Sequence, residues 1–506
     1  MTKLKILFVS SEEAPYAKAG GLGEVMFSLP RALKALGHDA RVMIPRYGHM
    51  DLAAHPFEMV YEGLQVPTGP DAGAKELICN VRFVSGTGDS RSPVPTYFFE
   101  NQEYYEMRSN IYGYNDDPIR FAILSRGCLE FLRKYRAWRP NIIVCTDWMT
   151  SYIPNFLKTD FADDRALKKI ATVLTIHNLA SHPGTFNPRF IQESERDDGH
   201  GPLPDVFSPR MMHINPLRRA IMHADLVNTV SATYAKEITT PEFGEELDGL
   251  LRERRGRLVG ILNGIDYETN NPETDTRLAS TFSARSIERR KENRLALQQR
   301  LGLPQDPNAF LMGIVSRLNR QKGFKLLADM IEPFLKETKG QLVVVGSGDT
   351  ELMTFFSDLA KKYPAQAATH LKFDDELPHL VFAGSDVILV PSYFEPSGLT
   401  QMEAMRYGAV PVARSVGGLA DTIVDYQPEK GGSGFLFSDF DAYAFLIALT
   451  RAFVNWRHTR SWRKLQRIVM QKDFSWERSA HEYVKIFRLA IRYKKQNGAE
   501  APKRVY

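Results

Sequence analysis

The chain is short of cysteine, of long apolar runs and of any large excess of charge. Its three cysteines, Cys79, Cys128 and Cys145, are odd in number and far apart among 506 residues. They make no disulfide framework and share no metal spacing, which fits a reducing compartment. No apolar stretch approaches the ~20 residues that span a bilayer. The run Ile6–Val9 near the start is too short for the core of a signal peptide. A cytoplasmic location and no membrane partner are expected. The 65 basic residues exceed the 60 acidic ones by only five. That excess is partly local, in Arg252–Arg257 and Arg285–Arg294, which read as solvated helix faces and not as a nucleic-acid surface. No Cys/His cluster, serine elbow or Walker-type phosphate loop is present. Neither a metal nor a resident cofactor is expected.

What is present is a rhythm. Apolar strand-like runs alternate with helical patterns: Lys5–Ser10, then a helix over Val25–Leu36 closed by Gly37, then Arg41–Pro45. It returns at Asn141–Cys145, Ala171–His177 and Asp225–Val230, and again at Phe310–Val315, Gln341–Val345, Asp386–Pro391 and Val410–Ala413. Continuous apolar strands separated by helices predict parallel sheets covered on both faces. The length exceeds one ordinary core, so the fold class is α/β with at least two doubly wound domains. A boundary is expected after Val259–Asp266, before a charged helix around Ile287–Arg300. Two such sheets leave a cleft between them, and ligands bind at the carboxyl ends of their strands. Thr68–Pro95 breaks the rhythm as a hairpin excursion, and Ser181–Pro209 as a long loop.

Polar residues recur where such sheets bind. Lys18-Ala-Gly-Gly-Leu-Gly-Glu24 follows the first strand and opens the first helix. Its glycines let backbone approach a ligand, and a helix start offers N–H groups to an anion. Met26 stands where a dinucleotide fingerprint would have its third glycine. Lys18 turns the reading towards phosphate or sugar, with a plain tight turn as the alternative. Ser316-Arg-Leu-Asn-Arg-Gln-Lys-Gly323 carries Arg317 and Lys322, two cations able to clamp a diphosphate and stabilise it as it leaves. In Ser392-Tyr-Phe-Glu-Pro-Ser-Gly-Leu-Thr-Gln401, Glu395 lies between an aromatic and a proline just past a strand. It is placed for a ligand hydroxyl or a developing cation, and the helix starting at Ser397 suits a phosphate. Glu403 is either a ribose ligand or a solvated acid. His177 and Asp147 each end a strand in the first half, and Val416-Gly-Gly-Leu-Ala-Asp421 is one more Gly turn feeding a helix.

These residues resemble the bacterial glycogen synthases and plant starch synthases, glycosyltransferase family 5. The likeness covers nearly the whole chain. It is carried by Ser10–Leu22, Thr175-Ile-His-Asn178, Val230–Ile238, Pro241-Glu-Phe-Gly244, Leu262-Asn-Gly-Ile-Asp266, Ser316–Gly323, Pro391–Gln401 and Gly417–Thr422. The resemblance implies the GT-B fold: two Rossmann-like domains facing a central cleft, at 1–259 and 260–475. Asp473-Phe-Ser-Trp476 is similar to the start of the family's last helix, so 476–506 would cross back to the first domain. It implies transfer of glucose from ADP-glucose or UDP-glucose to the 4-OH end of an α-1,4-glucan or maltooligosaccharide, with retention. By position, His177, Glu395, Asp147, Arg317 and Lys322 would be catalytic. Lys18, Gly20, Gly21, Asn263, Ser397, Gly398, Leu399, Thr400 and Glu403 would meet the donor.

The chain departs from the family in places. Lys18-Ala replaces Lys-Thr, and Val144-Cys-Thr-Asp-Trp-Met149 replaces a histidine-rich stretch. Ala180-Ser-His-Pro-Gly184 is longer by one than the family's turn, and Asn270 stands for a tryptophan. These changes cluster in the first half, where the family binds its acceptor. Two further readings stay open: the same donor with another acceptor, and a non-catalytic homologue that only binds glucan or sugar nucleotide.

Overall fold

A computed structural model of the chain describes residues 2–51, 57–70, 73–86, 93–180 and 197–499. The altered turn Ser181–Gly184 and residues 181–196 of the expected long loop lie outside the described residues. The chain forms two compact units. One takes in the chain up to Val230, Ala235–Ile261 and the stretch from Trp476 onward; the other takes in Ser231–Tyr234 and Leu262–Ser475.

Among the described residues the first unit is built on nine strands: β1 (Lys5–Val9), β2 (Asp39–Pro45), β3 (Glu58–Pro67), β4 (Glu76–Val84), β5 (Thr96–Glu100), β6 (Ile142–Thr146), β7 (Ala171–Ile176), β8 (Leu226–Thr229) and β9 (Leu258–Gly260). Their order is β3-β4-β5-β2-β1-β6-β7-β8-β9. Only β4 runs against the rest, pairing antiparallel with both β3 and β5. Ile6, Leu7, Phe8 and Val9 of β1 are wholly buried, as a strand covered on both faces requires. Each such side chain contributes roughly 1.5–3 kcal/mol on burial. The last helix, Trp476–Ala499, packs on this sheet: Phe487 meets Phe8 edge to face at 6.3 Å, and Asn228 Nδ2 donates to Tyr483 Oη at 3.1 Å.

The second unit holds six parallel strands: β10 (Leu311–Val315), β11 (Gln341–Val345), β12 (Ala367–His370), β13 (Val387–Val390), β14 (Val410–Arg414) and β15 (Phe435–Phe437). Their order is β12-β11-β10-β13-β14-β15. Both sheets are doubly wound, and each has a point where the winding reverses. It falls between β1 and β6 in the first unit and between β10 and β13 in the second. A doubly wound sheet binds its ligand at the carboxyl ends of the two strands flanking that point. Those four strands are followed by the Lys18–Glu24 turn, Asp147, the Arg317–Lys322 loop and Glu395.

Several elements differ from expectation. The first helix begins at Gly21, one turn before Val25, because Gly20 is extended and serves as its N-cap. The hairpin excursion is real but starts earlier: β3 is an outer strand with many exposed positions, so its residues lack an apolar run. The helix expected from Ser397 begins at Thr400 and ends at Arg406. Ser397–Leu399 form a turn instead, with Gly398 at φ 65°.

Candidate active site

In the second unit the chemistry gathers around Glu395, which is 6% exposed. β13 ends at Val390, and the loop after it returns the carboxylate against the loop that follows β10. Lys322 Nζ donates to Glu395 Oε2 at 2.6 Å, and Ser392 Oγ donates to the same oxygen at 2.8 Å. The ammonium offsets the cost of burying the carboxylate. Backbone ties fix the two loops to each other: Tyr393 N–H reaches Gln321 O at 2.8 Å, and Gln321 Nε2 reaches Phe394 O at 3.2 Å. Gly418 N–H donates to Glu395 O at 2.9 Å. Arg317 stands exposed just past β10. Lys322 and Glu395 therefore meet directly, while Arg317 keeps its guanidinium at the solvent edge.

The Ser397–Gly398 turn is clamped from below by Gln401, whose Nε2 donates to Ser397 O, Gly398 O and Thr422 Oγ1. Among the described residues, Ser397 Oγ and Gln401 Oε1 are buried without partners, as is Asn263 Oδ1 in the segment that enters this unit. Leu399 is the N-cap of the helix carrying Thr400 and Glu403. Gly418 runs so close beneath the turn that a Cβ would overlap the Ser397 carbonyl. Gly418→Ala is therefore expected to displace the turn and lower Tm, which thermal melts check.

In the first unit Asp147 follows β6 with φ 47° and ψ −156°. A non-glycine residue there costs on the order of 1–3 kcal/mol and persists only where its surroundings impose it. Asp147 N–H donates to Thr175 O at 2.9 Å, and Ser151 Oγ to Asp147 O at 2.5 Å. Asp147 Oδ1 accepts the His177 N–H at 2.7 Å and the Asn178 N–H at 3.3 Å. Parallel pairing of Thr146 with Thr175 brings these strand ends side by side. Burial pushes the Asp147 carboxyl up to about 7, against the pull of the two N–H groups, and Glu12 adds to the rise. Burial also pushes the half-buried His177 imidazole down to about 4, and its Nε2 has no partner among the described residues. At neutral pH His177 is uncharged.

The turn after β1 shows residues that sequence reasoning missed. Glu12 is 3% exposed, and its Oε2 accepts the N–H groups of Ala19 and Gly20 at 2.7 and 2.9 Å. Its Oε1 accepts from Tyr112 Oη at 2.6 Å. Glu12 thus shapes the glycine turn from beneath. Its only sequence signal was a pair of acids directly after a strand. Lys18 is half-exposed and ion-paired with Glu24 in the first turn of the helix. Phe373 was also missed: it lies just past β12, on the carboxyl edge of the second sheet, and is 82% exposed.

Two of the departures in this chain are interior. Val144, Cys145 and Thr146 are at most 1% exposed and Met149 is 3%, so the altered stretch fills core around the strained Asp147. Asn270 is buried, donates to Asp266 O at 3.1 Å and receives Arg406 Nε on its own carbonyl. All three cysteines are free and buried.

Two doubly wound units, with polar side chains gathered at the reversal point of each sheet, define the GT-B class of glycosyltransferase. The profile of the starch synthase catalytic domain matches residues 5–253, and that of glycosyl transferases group 1 matches residues 293–467. The chain is 40% identical to the glycogen synthase of Moorella thermoacetica over 96% of its length and 97% of that protein's. It is 39% identical to glycogen synthase 1 of Synechocystis, covering 96% of this chain and 95% of that one. The solved catalytic domain of starch synthase IV from Arabidopsis thaliana, bound to ADP and acarbose, superposes with a TM-score of 0.81. It is 31% identical and covers 97% of this chain and 100% of that one. The chain belongs to the glycogen and starch synthase family, and it is accordingly a glycosyltransferase. Among the described residues, no helix is long and apolar enough to cross a membrane.

Proposed function

We propose that the enzyme moves glucose from ADP-glucose or UDP-glucose to the 4-hydroxyl at the non-reducing end of an α-1,4-glucan or maltooligosaccharide, with retention. The observation that carries this reading is the Lys322–Glu395 pair at the reversal point of the second sheet. Arg317 and Lys322 hold the diphosphate and neutralise it as it departs, so the step calls on no metal. Glu395 takes the glucose hydroxyls. The turn from Ser397 through Gly398 and Leu399 to Thr400 receives phosphate, Glu403 the ribose, and Asn263 a further donor group. From the first unit, Lys18, Gly20 and Gly21 serve phosphate and sugar. Neutral His177 lies beside the anomeric carbon, and Asp147 serves the sugar or acceptor.

Retention follows from front-face attack: the acceptor oxygen bonds to the anomeric carbon as the bond to phosphate breaks, and its proton passes to the departing phosphate. The buried free cysteines support a cytoplasmic location.

Phe373 suits the nucleobase. Three strand spacings separate β12 from β13, roughly 14 Å, which matches a base held at one end of the sheet edge and a sugar at the other. Phe373→Ala is expected to raise the donor KM about tenfold with little change in kcat, since stacking of a base on an aromatic is worth roughly 1–3 kcal/mol. A donor titration of the variant checks it.

The function itself is tested with purified protein, ADP-glucose or UDP-glucose, and glycogen, maltooligosaccharides or no primer. Primer-dependent release of the nucleoside diphosphate, with lengthened glucan, is the expected result. Donor hydrolysis indifferent to primer, or no release with any pair, overturns it.

A further inference from the structure

The second sheet has another concave feature at the opposite edge. A groove of about 510 Å³ lies where Pro307 and Asn308 lead into β10 and Asp386 leads into β13. Its walls are the start of the helix Arg290–Arg300, the end of the helix Ala442–Trp456 and the start of the helix Thr459–Met470. The five residues of β10 separate this edge from the Arg317 loop, roughly 16 Å.

Two of the cations lining the groove are already engaged. Arg290 donates to the carbonyls of Tyr407, Phe382 and Ser385. Arg294 pairs with Asp386 at 2.5 Å and reaches the carbonyls of Pro307 and Ala309. They form the floor. Lys291, Arg457 and Arg463 are different: each lines the groove, and none is engaged by a side-chain hydrogen bond or ion pair among the described residues. They lie around the first turn of a twelve-residue helix whose N-cap, His458, contributes no side-chain bond. Such a helix start carries free N–H groups and a positive partial charge. Trp462, 4% exposed, lines the same groove, and its indole N–H is buried with no hydrogen-bond partner among the described residues. Residues 442–472 include no acidic side chain; of the two carboxylates that line the groove, Asp386 is paired with Arg294 and Glu288 stands exposed at the rim.

We propose that this groove is a second, non-catalytic site for a phosphate monoester of a sugar or nucleoside. The phosphate is held by Lys291, Arg457, Arg463 and the N–H groups of the helix start, which together supply charge-assisted donors in one place. Glu288 and Asn308, both exposed at the rim, accept hydroxyls from the body of the ligand, and Trp456 gives it an apolar wall. The volume is that of a small-molecule pocket, which favours one phosphorylated metabolite over a polyanion lying across the surface.

The test uses the full chain with inorganic phosphate, glucose 6-phosphate, ribose 5-phosphate and AMP as probes. Binding is read by calorimetry and by tryptophan fluorescence, since two of the five tryptophans line the groove. At least one probe should bind saturably and more weakly at higher salt, and the panel separates a sugar body from a nucleoside. The double variant Arg457→Glu, Arg463→Glu should weaken that binding by about tenfold or more while leaving donor turnover unchanged. Lys291→Glu, one exposed side chain, should weaken it about threefold and decides the matter if the double variant lowers Tm. No binding by any probe overturns the proposal. So does binding that all these variants retain in full, or a probe displaced wholly by the nucleoside diphosphate in competition with the donor.

Discussion

Replacing Glu395 with alanine is expected to lower kcat and kcat/KM together, by about 10²-fold or more, as loss of a contact made in the transition state does. The fold should survive. Lys322 is 22% exposed in its side chain, so its ammonium, once released, can turn to water. Lys322→Ala is the harsher change for stability, because it leaves a carboxylate that is 8% exposed with Ser392 as its remaining partner. Removing one member of a buried pair costs about 3–5 kcal/mol, reduced here by that partial exposure. The two variants should therefore differ in Tm in the order Glu395→Ala above Lys322→Ala, while both lose turnover. Initial-rate kinetics and thermal melts on the same preparations separate these effects. A near-normal rate for Glu395→Ala would refute the role given to that residue. A rise in KM alone would reduce it to a ground-state contact.

The strands β1, β2, β6, β7, β8, β10, β11, β13 and β14 were legible because each is a continuous apolar run with no alternative burial, whereas β5, β9, β12 and β15 were not expected as strands. Gln341–Val345 was read residue for residue, and Asp386–Pro391 brackets Val387–Val390. Strand ends were also legible as places for Glu395, Asp147 and His177. The contacts made there were not. Asp147 reaches the N–H of His177 only because β6 and β7 pair in parallel with Thr146 beside Thr175, and no local pattern encodes that register. Glu12 meets Tyr112 a hundred residues away. Its other partners are backbone N–H groups, which residue names do not show. Phe373 is a lone aromatic in a polar loop, without periodicity to mark it. β3 escaped because an outer strand with many exposed positions carries no apolar run. What sequence hides here is long-range pairing and backbone donors.

Asp147 and His177 should conceal each other in the pH dependence of stability. Burial raises the Asp147 carboxyl from an ordinary 3.8 to about 7 and lowers the His177 imidazole from 6.5 to about 4. Between about pH 4 and 6.5 the folded chain holds a proton on Asp147 that the unfolded chain has lost. Over the same range the unfolded chain holds one on His177 that the folded chain refuses. Stability from the raised Asp147 is present below about pH 4 and lost as pH rises through 7. Stability from the lowered His177 is present above 6.5 and lost as pH falls through 4. The slope follows the difference in bound protons, so the two contributions, roughly 4 kcal/mol for Asp147 and roughly 3 kcal/mol for His177 at 1.36 kcal/mol per pH unit, cancel in slope in the wild type between about pH 4 and 6.5. Single variants should uncover them. Asp147→Asn retains an oxygen for the two N–H groups and should become more stable from pH 4 to 6.5, relative to wild type. His177→Ala should become less stable over pH 4 to 6.5 on the same comparison. Urea unfolding at half-unit pH steps measures both. Parallel curves for all three proteins would show that neither group is shifted. Turnover gives an independent reading: if the reaction uses the Asp147 carboxylate, kcat rises to a plateau above about pH 7, and Asp147→Asn loses that rise.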